Sequence, residues 1–224
     1  MSARDIVFAS IRASLGVNGQ EAPRKKVVGD RLAGHPSGVV PERGHLPKHE
    51  QLALFVQLLT AASGTCDVVA SRDDVPGAIG NFLRQNNLPF AIRRGDDARL
   101  ADLPWSREPM IDISTGPSDG RQLVSVSHAM AGVAETGTLM LVSGKDNPTT
   151  LNFLPDSHVV VLDAADLAGD MEAAFARLRE KFGEGVMPRA VNLITGPSRS
   201  ADIEQTLILG AHGPRRFHVI VVDR

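Results

Sequence analysis

Short apolar runs that alternate with helix-period segments are the feature that most constrains the fold of this chain. The runs "CDVVAS" and "PFAIRR" read as strands, and between them "DDVPGAIGNFLRQNN" places Ile79, Phe82 and Leu83 on one helical face. A strand, helix and strand in this order cross over with a right hand and make parallel strands. A second helical segment, "AAFARLREKF", lies between "HVVVLD" and "AVNLIT", and "FHVIVVD" closes the chain. The sequence therefore predicts an α/β fold, with a mainly parallel sheet covered by helices.

The alternation breaks between about Leu123 and Leu162. Three apolar runs, "LVSVS", "TLMLVS" and "HVVVLD", follow one another with no helix-length segment that separates them cleanly. We therefore expect hairpin-like or mixed strand pairing there. In open α/β sheets, ligands gather at strand ends where the connection pattern changes, so this region is the first place to look for a site.

The first 48 residues have a different character. Val7, Ile11 and Leu15 recur at helical spacing, which predicts a short amphipathic helix with Ser2 as its N-cap. From about Gly16 to Lys48 the chain is rich in Gly, Pro and charge without a sustained period, so we predict a linker or mobile arm that lacks regular structure. We assign residues 1–48 to a helix and a flexible arm, and residues 49–224 to one α/β domain.

Composition limits the classes of function. Lys and Arg number 24 against 26 Asp and Glu, a net charge of -2, so the basic excess typical of nucleic-acid binding is absent. The single Cys66 can make neither an internal disulfide nor a thiolate cluster, which fits a reducing, cytoplasmic setting. No run reaches the roughly 20 apolar residues of a membrane span. We expect a soluble protein for which small anionic ligands remain possible.

Glu135 is the unusual residue of "AETGTLMLVSG", because Glu has no special turn chemistry and little preference for strands. One interpretation is that its carboxylate works chemically, with Thr136, Gly137 and Thr138 lining a ligand site beside it. The other is that the carboxylate accepts hydrogen bonds from nearby backbone N–H groups or threonines and fixes the turn. Position in the sequence does not decide between them.

A second candidate segment is "ITGPSRS". A strand runs into Thr195 and Gly196, and after Ser198 and Arg199 an apolar-periodic segment looks helical. A strand, a Gly-containing turn, a helix start and a guanidinium together suit a phosphate or carboxylate. Alternatively, Ser198 or Ser200 only caps the helix, and Asp202 and Glu204 favour its positive end. If both segments leave one sheet at the same end, Arg199 and Glu135 should lie close together.

Other chemistry finds little support in the residues. His128, His158 and His212 share no ligand spacing on one element, so no metal site is predicted. Ser198 lacks the flanking glycines of a nucleophile elbow, which argues against a hydrolase.

Three segments carry a resemblance to a known family. "VAETGTLML", "TLNFLPDSHVVVL" and "ITGPSRSADIEQTLILGAHGP", in this order and at this spacing, resemble the LUD-domain family, in particular its lactate utilization protein C branch. The resemblance runs from about residue 50 to the end, and "DIVFASIRASL" is similar to the usual start of that branch. It implies the fold shared by ribose-phosphate isomerase, glucosamine-phosphate deaminase and CoA transferases.

The resemblance also implies partners. Members of this branch are expected to act with two iron–sulfur proteins that oxidise L-lactate to pyruvate, with no cofactor in the present chain and the clusters in the partner subunits. Two hypotheses follow. The chain is an accessory or ligand-binding component of that system, or it is an enzyme of small carboxylates or CoA esters that uses Glu135 for acyl or CoA transfer.

Overall fold

A computed structural model of the chain describes residues 2–183, 185–200 and 208–223. The chain divides into two compact units, one that ends at Val39 and one that begins at Val40. No helix in the described ranges is both long enough and apolar enough to cross a membrane. All of the described strands belong to the larger unit.

The smaller unit consists of two helices, α1 (Ala3–Leu15) and α2 (Ala22–Gly34). Ser2 caps α1 as predicted, because its hydroxyl accepts the N–H of Asp5 while the Asp5 carboxylate accepts the N–H of Ser2. Gly16 follows the last turn in the left-handed conformation. No residue of either helix is buried, so the apolar stripe of α1 lies exposed.

The prediction that residues 16–48 lack regular structure is wrong for two segments. Helix α2 forms because its Pro lies in the first turn, where no N–H is needed, and because Lys26 pairs with Asp30 one turn later at 2.8 Å. A short 3-10 helix also spans Glu42–His45, where Gly44 is buried within the larger unit. The residues from Val40 to Lys48 thus belong to the larger unit, and the flexibility of the preceding segment stays a prediction.

Six parallel strands form the central sheet of the larger unit, which confirms the predicted α/β class. In spatial order they are β1 (Thr65–Val69), β12 (Arg216–Val222), β7 (Ser157–Asp163), β4 (Val124–His128), β2 (Ala91–Arg94) and β3 (Asp112–Thr115). The central strands β12, β7 and β4 are buried along almost their whole length, as the continuous apolar runs predicted.

Helices cover the two faces of this sheet unequally. On one face, α4 (Val75–Gln85) and α5 (Ala98–Ala101) pack against the side chains of Val159 and Val161. On the other face, Val160 and its neighbours pack against α3 (Lys48–Ala61) and against a second sheet. The central sheet therefore lies between one apolar layer made by helices and one made largely by strands.

The second sheet was not predicted as a separate unit. Its strands, in spatial order, are β8 (Leu167–Ala168), β5 (Ala131–Val133), β6 (Thr138–Val142) and β9 (Val191–Ile194). Strands β5 and β6 form a hairpin, which confirms the mixed pairing expected in the middle of the chain. Helix α6 (Met171–Phe182) packs on the outer face of this sheet through Ala174 and Leu178. Strand β9, predicted as part of the main sheet, belongs here instead because it pairs with β6.

Two glycines at one end of the second sheet lie against the last turn of α3. A Cβ on Gly137, in the β5–β6 turn, would lie 2.5 Å from the backbone nitrogen of Leu59. A Cβ on Gly196, just after β9, would overlap the carbonyl oxygen of Ala62. Both glycines also have positive φ, at 66° and 80°, which disfavours any other residue. The backbone of both turns therefore approaches α3 as closely as the chain permits.

Candidate functional site

Glu135 lies in the turn between β5 and β6 and is only 5% exposed. Its backbone N–H donates to the carbonyl oxygen of Gly169 at 3.0 Å. One carboxylate oxygen, Oε1, accepts the backbone N–H of Met171, the first residue of α6, at 2.9 Å. The negative charge therefore lies at the positive end of the helix dipole, where it satisfies one of the free N–H groups of the first turn. Glu135 joins the hairpin to the start of α6.

The second oxygen of the Glu135 carboxylate is enclosed by backbone. Oε2 is buried and has no hydrogen-bond partner among the described residues. A Cβ on Gly44 would lie 3.4 Å from this oxygen, and a Cβ on Gly169 would overlap the carbonyl oxygen of Gly44. Three chain segments thus close around the carboxylate. This enclosure favours the anchoring interpretation of Glu135, and its catalytic role stays a prediction.

Hydroxyl groups connect the two segments that the sequence predicted to meet. Thr136 donates from Oγ1 to Oγ1 of Thr138 at 2.8 Å, and the Thr138 and Thr195 hydroxyls lie 2.5 Å apart. Because β6 begins where its antiparallel neighbour β9 ends, the turn and the "TGPSRS" segment lie at the same end of the second sheet. The predicted site residues Thr136, Gly137, Thr138, Thr195 and Gly196 therefore do come together.

The helix predicted after Ser198 does not form at the described positions. Instead β10 (Arg199–Ser200) and β11 (Ile208–Leu209) pair as an antiparallel ribbon, and residues 201–207, which include part of the predicted helix, lie outside the described residues. The Ser198 N–H donates to Pro214 and its carbonyl accepts from Gly210, both at 2.9 Å. These ribbon bonds leave no helix N-terminus at Ser198, so the predicted contribution of a helix dipole to anion binding is wrong there.

Arg199 does not pair with Glu135. Its guanidinium donates to the Ser63 hydroxyl at 3.1 Å, just beyond the end of α3. Glu135 is instead held by Met171, and the two charged groups form no ion pair. The version of the prediction in which Arg199 and Glu135 neutralise each other is therefore wrong.

Gly196, Ser198 and Arg199 line a cavity of about 310 Å³, which we call the ribbon cavity. Both apolar and polar side chains line it, the apolar ones including Phe153 and the buried ring of Phe217. Its polar side chains are Asn152, Ser198, Arg199 and His212. Among the described residues that line it, none is acidic. A cavity with apolar walls and hydrogen-bond donors, but no carboxylate, suits an anionic ligand with a small apolar body.

Behind the ribbon cavity lies a buried chain of polar side chains, Asn152, Ser127 and His158, each at most 1% exposed. The Ser127 hydroxyl donates to Oδ1 of Asn152 at 3.4 Å and lies 3.0 Å from Nε2 of His158. Burial lowers the pKa of His158 to about 3, so the ring is neutral near pH 7. Nδ2 of Asn152 and Nδ1 of His158 have no partner in the described part of the chain. No local sequence pattern indicates these hydrogen bonds, because Ser127 and His158 lie on different strands and Asn152 ends a short 3-10 helix.

Sequence reasoning also missed a charged cluster at the carboxyl edge of the central sheet. His128 ends β4 and Asp163 ends β7, and Nε2 of His128 lies 3.2 Å from the Asp163 carboxylate. Arg72 lies 3.3 Å from the same carboxylate and also donates to the carbonyl of Arg99. The sequence pattern that could have indicated this cluster is the polar residue, His128 or Asp163, that ends each buried apolar strand. Arg72 and Asp163 line a cavity of about 690 Å³ at this edge, but their charges are mutually satisfied, which is typical of a structural joint.

The three histidines that were considered as metal ligands contact different groups. His128 contacts Asp163, His158 contacts Ser127, and His212 lines the rim of the ribbon cavity. Over residues 2–183, 185–200 and 208–223, no group of three or more His, Cys, Asp or Glu side chains is placed to hold a metal ion.

Comparisons with known proteins match this architecture. The LUD domain matches residues 52–222. A Geobacillus thermodenitrificans protein named Lactate utilization protein C is 36% identical over 88% of this chain and 94% of its own length. The Bacillus subtilis protein of that name is 35% identical over 45% of this chain and 43% of its own length. An uncharacterized Neisseria meningitidis protein is 36% identical over 65% of this chain, a match that spans 64% of that protein.

One solved structure is similar. The crystal structure of a DUF162 family protein from Deinococcus radiodurans superposes with a TM-score of 0.58 and covers 79% of this chain and 99% of that chain. At 23% identity this likeness supports the fold alone. The more specific likeness to ribose-phosphate isomerase and CoA transferases stays a prediction.

The anchoring interpretation of Glu135 can be tested by unfolding in urea. We expect Glu135→Ala to lower the free energy of unfolding by roughly 2 kcal/mol, because the Met171 N–H loses its acceptor in a buried position. Glu135→Gln keeps an oxygen for this bond and should cost about 1 kcal/mol or less. The control is Glu180→Ala, because Glu180 is an exposed residue of α6, the helix that Glu135 anchors. This change should alter the free energy of unfolding by no more than about 0.5 kcal/mol. A Glu135→Ala protein as stable as the parent would contradict the anchoring role.

Burial of His158 predicts a pH-dependent stability. Its pKa falls from 6.5 in the unfolded chain to about 3 in the fold, so between these values only the unfolded state binds the extra proton. Stability is therefore lost as the pH falls below 6.5. At pH 5 this group should contribute about 2 kcal/mol of destabilisation relative to pH 7.

The measurement is urea unfolding at pH 7 and pH 5 for the parent, for His158→Gln and for the exposed-site control His49→Gln. The His49 variant should keep the full pH dependence, whereas the His158 variant should lose about 2 kcal/mol of it. Equal pH dependence in all three proteins would show that His158 is charged in the fold.

Proposed function

The chain belongs to the LUD domain family, and we propose that it acts in an L-lactate utilization system as the component that binds a small monocarboxylate. The relatives named Lactate utilization protein C motivate the choice of system, since one of them is similar over 88% of this chain. The ribbon cavity motivates the choice of ligand. The relatives' names do not specify a residue role, so the role given to the cavity comes from its chemistry.

The polarity of the ribbon cavity is the observation that carries this proposal. Arg199 and Ser198 supply donors on one side, and Asn152 supplies a buried amide whose Nδ2 has no described partner. A carboxylate accepts from several donors at once, and charge-assisted hydrogen bonds of this kind are stronger than neutral ones. With no acidic side chain among the described lining residues, a bound carboxylate meets no like charge. The apolar wall at Phe217 then suits a methyl group.

In this proposal the redox centres lie in iron–sulfur partner proteins in the cytoplasm, which oxidise L-lactate to pyruvate. Clusters of this kind are usually held by four cysteine thiolates. The chain has one cysteine, Cys66, and burial, followed by the nearby Asp67 carboxylate, raises the pKa of its thiol to about 12. A thiol with so high a pKa is a poor cluster ligand, because iron is bound by the thiolate form. The residues present therefore do not fit a cluster, and we derive no step that passes through one in this chain.

Acyl or CoA transfer through Glu135 is not part of the proposal. A carboxylate nucleophile must reach the carbonyl carbon of its substrate. Glu135 is 5% exposed, and Gly44, Gly169 and Met171 surround it. No observation in the described residues favours that alternative.

Ligand binding is tested by isothermal titration of the purified full chain with pyruvate and with L-lactate. We expect both to bind, and Arg199→Gln should weaken binding by about tenfold or more, since it removes a charged donor. Arg121→Gln is the matched control, because that side chain is 87% exposed, pairs with Asp119 and does not line the cavity. It should leave both affinities unchanged. Absence of heat with either carboxylate, or equal loss in both variants, would overturn the cavity assignment.

Participation in the lactate system is tested in the source strain. A tagged copy of the chain should co-purify iron-containing partner proteins during growth on L-lactate, and deletion of its gene should abolish that growth while growth on glucose continues. Re-expression of the parent sequence should restore growth. Normal growth on L-lactate without the gene would refute the proposed function, whatever the titration shows.

A further inference from the structure

We propose that the ribbon cavity prefers a 2-oxo monocarboxylate over the corresponding 2-hydroxy monocarboxylate, and that Asn152 makes this choice by offering a free hydrogen-bond donor while its acceptor oxygen already receives the Ser127 hydroxyl. The inference rests on the proposed function, because it takes a small monocarboxylate as the ligand of this cavity. It deepens that function by naming the oxidation state of the preferred ligand.

The orientation of the Asn152 amide is the first step. Its oxygen, Oδ1, accepts the hydroxyl proton of Ser127, so the opposite group, Nδ2, is the one left without a partner in the described part of the chain. Asn152 is 1% exposed and lines the cavity. An amide held in this way presents two N–H donors to a ligand and keeps its acceptor engaged.

His158 is the other hydrogen-bond partner of the Ser127 hydroxyl. A serine hydroxyl has a single proton, and at Ser127 it is directed at Asn152, so the 3.0 Å contact with Nε2 of His158 requires a proton on that nitrogen. The ring is fully buried and stacks edge-on against Phe217, with 5.6 Å between ring centroids. A neutral His158 with its proton on Nε2 therefore acts as a positioning residue through Ser127.

The two ligand classes differ at the atom that would reach Asn152. If the exposed Arg199 and the half-buried Ser198 hold the carboxylate, the substituent on carbon 2 is the atom that can reach the buried lining residues Asn152 and Phe217. A keto oxygen only accepts hydrogen bonds, and the Nδ2–H group of Asn152 can supply one. A hydroxyl accepts equally well, but its own proton then needs an acceptor, and a buried donor without one is costly.

The described side chains that line the cavity offer few acceptors for the proton of a ligand hydroxyl. The Ser198 oxygen already accepts the N–H of His212 at 3.3 Å. A nitrogen of the His212 ring can accept a hydrogen bond, but His212 is exposed whereas Asn152 is buried. A hydroxyl placed beside Asn152 is therefore disfavoured relative to a keto group.

The test is a titration of the full chain with pyruvate and with L-lactate under identical conditions. We expect pyruvate to bind roughly fivefold to tenfold more tightly, the size of one unsatisfied hydroxyl donor. Equal affinities, or tighter binding of L-lactate, would overturn the preference while leaving the proposed carboxylate site intact. If neither acid binds, the proposed site and this inference both fail.

Two variants separate the specificity role from a structural one. Asn152→Leu removes the donor, and Ser127→Ala frees the amide to rotate, so in both the ratio of the two affinities should fall to about one. Ser114→Ala is the control and should keep the ratio, because Ser114 also donates its hydroxyl proton, in this case to the backbone carbonyl of Ile92, and does not line the cavity. Circular dichroism checks that each variant is folded. An unchanged preference in a folded Asn152→Leu protein would show that another group makes the choice.

Discussion

The structure depends on the burial of strands β7 and β12 on both faces. Along β7, Val159 and Val161 point into the layer beneath α4, whereas Val160 and Leu162 point into the layer shared with α3 and the second sheet. A parallel strand that is apolar on both sides must be covered on both sides. The second sheet supplies part of that cover, together with α3, so its hairpin packs against the core of the first sheet. Phe217 of β12 belongs to this layer and also lines the ribbon cavity.

The chemistry of the cavity follows from that packing. Ser127 and His158 lie on β4 and β7, on the face that meets the second sheet, so they are buried polar groups in an apolar layer. Such groups persist when they are hydrogen-bonded to one another. Their bonds lead to Asn152 and leave its free donor among the lining residues of the cavity. Glu135, at the same end of the second sheet as Thr195, differs from these groups because one of its oxygens accepts the first N–H of α6.

The sequence predicted features that rest on local pattern, and it missed those that rest on long-range pairing. The α/β class, the cap at Ser2 and the meeting of the "AETGT" and "TGPSRS" segments followed from periodicity and strand order. The second sheet was missed because a short apolar run looks the same in either sheet. Apolar spacing in "ADIEQTLIL" suggested a helix, but Leu209 pairs across a ribbon with Arg199, which no local pattern encodes. The hydrogen bonds that link His158, Ser127 and Asn152 were missed for the same reason, because they join side chains from separate elements.

Gly137 and Gly196 lie so close to the carboxyl end of α3 that neither contact leaves room for an added side-chain atom. Helix α3 has 14 residues and spans about 21 Å, and a helix of that length moves as a rod. A slide of the rod along its axis by a fraction of an ångström must carry the hairpin turn and the "TGPSRS" segment with it. Arg199, bonded to Ser63 beyond the end of the rod, would travel as well. The amino end of α3 is thus mechanically linked to the mouth of a cavity at its far end.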